Sequence, residues 1–361
     1  MTDFIGRTGT AHLPLHDGKA PAWLFSRMTK LAREITIAIV SDYGPVEMLK
    51  RLSDPFWFQA FGCVLGFDWH SSGVTTTVCA AIKEGIKGME SDLGFFVAGG
   101  KGGTSRKTPA EIEGVGHLLT VDPARLVYAS RMAAKVDNNA VQDGYQLYHH
   151  VFCFTKDGSW AVVQQGMNEK DLYARRYHWL GEKVSDFVCE PHSAICAEKS
   201  AATLNLVARE SAPARETMTQ IACQDKPDKL LLKLKGLKEL ELPRRHAVVL
   251  ADINPDRLYK IFVKTYDSQP VNFESLLGLE GVGAKTLRSL SLIAEIIYGV
   301  PASFRDPARF SFAHGGKDGI PYPVDRRTYD KSIEILHAAL EHARINDREK
   351  TNALKRLQLW M

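Results

Sequence analysis

The stretch "YQLYHHVFCFTKDGSWAVVQQGM", Tyr145 to Met167, places two runs of β-branched and aromatic residues on either side of Asp157-Gly158. Asp-Gly between such runs signals a β-hairpin with a two-residue turn. That turn pairs Thr155 with Trp160, so that Phe152 faces Val163 and His150 faces Gln165. On this register Tyr148, His150, Phe152, Phe154, Ala161, Val163 and Gln165 share one face of the sheet. The face is apolar near the turn and polar at its far end, the gradient expected where a site borders a core.

Outward from the hairpin, Pro21 to Val40, Pro45 to Leu52 and Pro123 to Lys135 read as helices. Val74 to Lys87 opens with threonines and reads as strand turning to helix. "GFFVAGGKGGTSRK", Gly94 to Lys107, reads as a short strand entering a glycine-rich basic loop. From about Ser200 the chain reads as helical, with no convincing strand. The stretch "CEPHSAICAEKSAATLN" separates the two patterns. The expectation is an α+β fold: an α/β nuclease-like domain over 1–190, then an all-helical domain over 200–361. A length of 361 residues is enough for two cores. Net charge is +4 and unevenly placed, with 25 Lys and Arg against 20 Asp and Glu from Ala201 onward. A modest basic excess in the second half fits a nucleic-acid surface there. Neither a signal-peptide core nor a bilayer-length apolar run is seen, and the six cysteines form no CxxC pair. The expected setting is cytoplasmic, with reduced thiols and no iron–sulfur cluster.

The polar residues of the first half crowd into "KVDNNAVQDGYQLYHH", "VVQQGM" and "YARRYHWL". Asp137, Asp143, His149, His150, Gln164, Gln165, Arg175, Arg176 and His178 are the candidate catalytic residues. Carboxylates and imidazole can hold a divalent cation, which activates water and neutralises phosphate charge. Asp137, Asp143 and His150 are the candidate ligands, for Mg²⁺ or Mn²⁺. Arg175 and Arg176 could clamp phosphate oxygens, and the amides of Gln164 and Gln165 could orient water. One of the adjacent His149 and His150 must point away from the other. Asp68-Trp69-His70, like His12 and His16, reads more simply as solvated loop.

The second half contains "LLGLEGVGAKTLRSLSLIAEIIYGVP", Leu276 to Pro301. It reads as a short helix closing at Gly278, a tight turn, and a second helix stopped by Gly299 and Pro301. Gly281 and Gly283 let a phosphate approach the backbone N–H groups at the second helix's N-terminus, and Lys285 adds a cation. The order resembles the helix-hairpin-helix element, a sequence-independent grip on DNA, over 273–299. That resemblance implies DNA contacts from Gly281, Val282, Gly283, Lys285 and Thr286. Lys101, Arg106 and Lys107 of the glycine-rich loop are further DNA-contact candidates. The step "YPVDRRTYD" after the hairpin is similar to one in helix-hairpin-helix DNA glycosylases. It implies an alternative in which Lys285 is a Schiff-base nucleophile and Asp325 its electrostatic partner. Their spacing of 40 residues exceeds the usual gap, and no cluster-binding cysteines follow.

The whole chain resembles a bacterial and archaeal family catalogued as a domain of unknown function. The likeness rests on "RTGTAHLPLHDGKAPAWLF", "SDPFWFQAFGCVLGFDWHSSG", "KVDNNAVQDGYQLYHHVF", "ARRYHWL" and "FAHGGKDGIPYPVDRRTYD". It implies a ParB/sulfiredoxin-type, nuclease-like first domain and a helical DNA-binding second domain, without an established catalytic residue. The expected function is a metal-dependent DNA nuclease, with DNA repair as its setting. A glycosylase/lyase and a non-catalytic DNA-binding protein are the alternatives. The charged tail helix, Asp347 to Trp360, suits packing on its own domain or on a second copy as a homodimer.

Overall fold

The computed structural model describes residues 20–67, 72–170, 172–197, 202–238, 255–308, 326–343 and 346–358. The helices of the first half are α1 (Ala22–Tyr43), α2 (Pro45–Ser53), α3 (Pro55–Val64), α4 (Gly73–Gly85), α5 (Glu90–Leu93), α6 (Thr108–Gly114) and α7 (Pro123–Lys135). The strands are β1 (Phe95–Lys101), β2 (Val141–Gln142), β3 (Gln146–Thr155), β4 (Trp160–Asn168), β5 (Tyr173–Leu180), β6 (Ala194–Cys196) and β7 (Leu204–Asn205). The remaining helices are α8 (Ala212–Gln224), α9 (Pro227–Lys238), α10 (Pro255–Ser268), α11 (Phe273–Gly278), α12 (Ala284–Tyr298), α13 (Arg326–His342) and α14 (Asp347–Gln358). No helix among the described residues is long and apolar enough to cross a membrane.

The central sheet has the order β1-β3-β4-β5-β6, and every neighbouring pair is antiparallel. The expected hairpin is present, but its register differs by one residue. Phe154 pairs with Trp160, Phe152 with Val162 and His150 with Gln164. The cause lies in the turn. Thr155 N–H donates to Ser159 O (3.0 Å) and Gly158 N–H to Thr155 O (3.0 Å), so the loop has three residues. Gly158 alone takes the left-handed conformation (φ +85°), and the Asp157 carboxylate accepts from Ser159 N–H (3.1 Å). This is a turn completed by a glycine bulge, the commonest three-residue hairpin loop.

The shift decides which side chain meets which core. Phe152, Phe154, Val162 and Trp179 face one apolar cluster, shared with α7, α8, α11 and α12. Val151, Cys153, Ala161, Val163 and Leu180 face the other, shared with α1 to α4, α13 and α14. The sheet is thus covered on both sides, and its central strands are buried over 149–155, 161–166 and 174–180. Residues 73–85 are helical from the start, not a strand turning to helix. Val74, Val78, Ala81 and Ile82 recur at helical spacing and are buried, while the Thr75 hydroxyl donates to Gln165 of the facing sheet. In the second half, where no strand was expected, β7 pairs with β2, and Asn205 bridges Ser303.

The stretch expected to divide two domains contains β6 and β7, and packing runs across it. One cluster includes Phe152 and Trp179 of the sheet together with Leu276, Leu287 and Leu290 of the later helices. The tail helix α14 packs through Ala353 and Leu354 onto the cluster of α1 to α4. A fragment ending at residue 200 would uncover the apolar side of α7 and of residues 136–140, on which α11 and α12 pack, and would lose α13 and α14 from α1 and α3. It is expected to be insoluble or to lack cooperative thermal unfolding; a soluble fragment melting in one sharp transition would contradict a shared core.

Candidate functional site: a divided polar network and a glycine turn

The nine candidate catalytic residues do not form one site. Because β-strand side chains alternate, the register sends them to opposite faces of the sheet. His150 and Gln164 face α7, with Asp137 and Arg175 bonded from the same side. His149, Gln165, Arg176 and His178 face α1 to α4. His149 and His150 do point apart, as expected of neighbours in a strand.

On the α7 side, Asp137 is fully buried and organises a chain of hydrogen bonds. Gln164 Nε2 donates to Asp137 Oδ2 (2.5 Å) and to the Ala133 carbonyl (3.3 Å). Its Oε1 therefore accepts from His150 Nδ1 (2.7 Å), which places the imidazole proton on Nδ1. His150 Nε2 is then the acceptor for the Ser130 hydroxyl (2.8 Å). Trp179 Nε1 donates to Asp137 Oδ2 (2.9 Å), and His192 Nε2 meets Asp137 Oδ1. Ser130, Trp179 and His192 were not among the candidates. Nothing in their local sequence marks them, since each partner lies at least 20 residues away.

Beside this chain, Arg175 lies between two carboxylates, all three essentially buried. It donates to Asp143 Oδ2 (3.0 Å), and in bidentate fashion to Asp306 Oδ1 (3.0 Å) and Oδ2 (2.8 Å). Tyr177 OH donates to the same Asp143 oxygen (2.7 Å), and Tyr145 N–H to the other (3.0 Å). Burial opposes the charge on Arg175, but Asp143, Tyr177 and Asp306 together raise its pKa and hold it protonated. No local signal marks Asp306, whose partner is 131 residues away.

On the other face, one cross-strand row runs through Lys101, His149, Gln165, Arg176 and Cys196. Gln165 Nε2 donates to the Ser72 carbonyl (2.9 Å) and to Tyr148 OH, and its Oε1 accepts from Thr75. Arg176 donates to Gln59 Oε1 (3.1 Å) and stacks on Phe58, 4.6 Å from the ring centre. His178 Nδ1 lies 2.9 Å from the Leu52 carbonyl, so it carries the proton. These residues hold α2, α3 and α4 against the sheet.

The residues proposed for Mg²⁺ or Mn²⁺ do not fit such an ion. Both oxygens of Asp137, both oxygens of Asp143 and both nitrogens of His150 are engaged by protein groups. Among the described residues no three His, Cys, Asp or Glu gather where they could share a cation. A hydrogen-bonded interior of this kind specifies packing.

The 273–298 segment does form a helical hairpin. Asn272 and Ser275 close the start of α11 reciprocally, with Asn272 Oδ1 accepting from Ser275 N–H (2.8 Å) and Ser275 Oγ from Asn272 N–H (3.1 Å). Gly278, expected to close this helix in the left-handed region, is still helical; the left-handed φ, +89°, falls at Gly281. The end of α11 is closed from elsewhere. Lys135 Nζ donates to the carbonyls of Leu277 (2.7 Å), Gly278 (3.1 Å) and Leu279 (2.6 Å). Val282 is buried and anchors the turn, Gly283 is the N-cap of α12, and Gly281 and Lys285 are exposed. Thr286, proposed to touch DNA, is buried. At the far end Gly299 takes φ +70° and stops α12 as expected.

The turn packs on the segment that leads into β3. Gln142 donates to the Ala284 carbonyl (2.8 Å) and accepts from Arg288 Nε (2.6 Å). Asn138 Oδ1 accepts from Leu147 N–H (3.3 Å), and Lys101 lies 5.7 Å from the ring centre of the next residue, Tyr148. Hairpin turn and basic loop thus flank one segment, 138–148. Lys83 fixes the base of that loop, donating to Gly99 O (2.8 Å) and pairing with Glu111 (2.7 Å). The loop itself, Gly102–Lys107, is a single 3₁₀ segment with Arg106 and Lys107 near its end. Asp68, Trp69, His70 and Asp325 lie outside the described residues, as do His12 and His16.

Taken together, the chain is an α+β protein with an antiparallel sheet between two helical layers and a helical hairpin packed beside it. It belongs to the family described as "Protein of unknown function (DUF763)", whose profile matches residues 9–324. No curated protein and no solved structure matches the chain.

Two stability tests follow from the buried network. Replacing Arg175 with Leu strands two buried carboxylates and is expected to cost about 3–5 kcal/mol, read by urea unfolding. Acidification acts through the histidines. Burial lowers the pKa of His150 and His178, and burial with His150 and Lys101 nearby lowers His149 to about 3. The unfolded chain takes up these protons first, so stability present above pH about 6.5 declines as pH falls towards the folded values. Each group contributes a slope of up to about 1.4 kcal/mol per pH unit. In urea titrations between pH 7 and 4, His149→Phe should flatten this decline; an unchanged slope would remove His149 from the account.

Proposed function

We propose that this protein binds DNA without sequence preference, through the 273–298 hairpin acting as a helix-hairpin-helix element. The observation that carries the reading is the glycine turn. Gly281 is exposed, Gly283 caps a 15-residue helix without a side chain, and Lys285 is exposed in that helix's first turn. The N–H groups at such a helix end, the dipole behind them and an adjacent ammonium all favour a phosphate. The buried Val282 and the clamp by Lys135 hold the turn in place before any ligand arrives, which lowers the ordering cost of binding. Lys101 beyond the 138–148 segment offers a second phosphate contact. The polar interior does not support a metal-dependent nuclease, because its carboxylates are spent within the protein, and the proposal stops at binding.

Gly283 is a clean place to test this. Its backbone is extended (φ −129°), and an added Cβ would meet only Asn139 Oδ1, at 3.9 Å. Valine there should fold normally and still obstruct a phosphate. Fluorescence anisotropy with a labelled duplex should show affinity falling steeply as salt rises. Gly283→Val and Lys285→Glu should each weaken binding by about tenfold or more. Affinity indifferent to both changes and to salt would refute the reading. Incubation with plasmid and Mg²⁺ or Mn²⁺ should leave the plasmid intact; nicking that EDTA abolishes would restore a nuclease.

A further inference from the structure

A cavity of about 470 Å³ opens at the other end of α7, lined by Arg125, Leu126, Tyr128, Asp157, Trp160 and Phe187 among others. None of these belongs to the polar network or to the helical hairpin of 273–298. We propose that this cavity takes an unpaired nucleobase of a DNA strand gripped by the hairpin, a proposal that rests on the DNA-binding reading above.

The wall of the cavity is a ladder of flat rings. Phe152 and Trp160 lie nearly parallel at 5.6 Å, and Trp160 and Phe187 are parallel within 2° at 6.0 Å. Tyr128 stands edge-on to Phe187 at 5.8 Å and is 46% exposed. Such surfaces suit a planar heterocycle, and every base presents a π-face whatever its identity. The wall is held rigidly. Gly181 lies so close to the Trp160 ring that a Cβ there would sit 2.7 Å from it, and one at Gly158 would sit 2.8 Å from Val121. A pre-set slot loses little on binding.

The polar lining suits the edge of a base better than a phosphate. Arg125 supplies donors. Asp157 stays ionised, because the Thr155 hydroxyl bonded to its carboxylate lowers its pKa, and it can accept from amino or ring N–H groups. A carboxylate here would repel a phosphate. Size agrees too, since ligand pockets for compact molecules start at about 300 Å³.

Position ties the cavity to the hairpin. The Tyr128 hydroxyl bonds to Glu274 in the first turn of α11, and Lys135 of the same α7 closes the end of α11. Tyr128 and Lys135 are seven residues apart on one helix, or about 10 Å. That distance is about three nucleotides of a stacked strand. The glycine turn lies further along the chain, with Gly283 beside Asn139, so a backbone held there reaches the cavity over roughly 15 Å, or about four to five nucleotides. A base paired in a duplex cannot enter, so the protein should prefer single strands, or duplexes with an unpaired base.

The test uses the full chain with a single-stranded oligonucleotide containing one 2-aminopurine, the matching blunt duplex, and free 2-aminopurine riboside. Binding of the single strand should quench the 2-aminopurine, and its affinity should exceed that of the duplex. Tyr128→Ala should abolish quenching and weaken single-strand binding by about 5- to 150-fold, with duplex affinity unchanged. Tyr128→Phe, which keeps the ring and drops the bond to Glu274, should retain both. Saturating single-strand binding without quenching, and indifferent to Tyr128→Ala, would overturn the proposal. Failure of the hairpin reading shows separately, as duplex affinity indifferent to Lys285→Glu. In that case riboside quenching that Tyr128→Ala removes would support the base slot alone, and its absence would remove the slot as well.

Discussion

A sheet covered on both faces has no side on which to leave a polar side chain in water. This constraint shapes the protein more than any single contact. The turn at residues 155–159 sets the register of β3 against β4, and that register sends Phe152 and Val162 one way and Val151 and Val163 the other. Where the strands carry histidine, glutamine and arginine, most polar atoms turn to partners inside the protein, the two ring nitrogens of buried His149 being an exception. The two hydrogen-bonded groups, one per face, are the result. A slip of one residue would exchange both populations at once.

The same constraint explains why distant parts of the chain meet. Arg175 cannot be buried without anions, and one of its two comes from Asp306, beyond α12. Asn205 bridges Ser303 close by, and the Ser303 hydroxyl donates to Glu210 (2.7 Å). Sheet and later helices are therefore joined by charge and by backbone pairing as well as by apolar contact. The position of the hairpin beside the sheet is inherited from these ties.

Much of this was legible in the sequence, and the failures have identifiable causes. Alternation and turn residues gave β3 and β4, and helical periodicity with glycine punctuation gave α7 and the 273–298 hairpin. The register differs from the expected one because Asp157-Gly158 suits both a two-residue turn and a three-residue loop with a glycine bulge. Local sequence does not separate them; burial on both sides does. The cluster of Asp137, Asp143, His150 and Arg175 looked like an active site because its residue types match hydrolytic chemistry. Composition could not show that Gln164, Tyr177, Trp179 and Asp306 already satisfy those groups. The aromatic cavity was invisible, since Tyr128, Trp160 and Phe187 come from three unrelated segments.

Lys135 has an effect of another kind. Its three hydrogens are all given to main-chain carbonyls of residues 277–279, so the contact depends on the lysine but on no particular side chain opposite. The dependence is one-sided. Leu279 and Glu280 can change during divergence without loosening the clamp, while no substitution there can compensate for loss of the lysine. A search for correlated positions would therefore pass over the link between α7 and the turn. It would appear only as an isolated, invariant lysine, about 140 residues upstream of the loop that it holds.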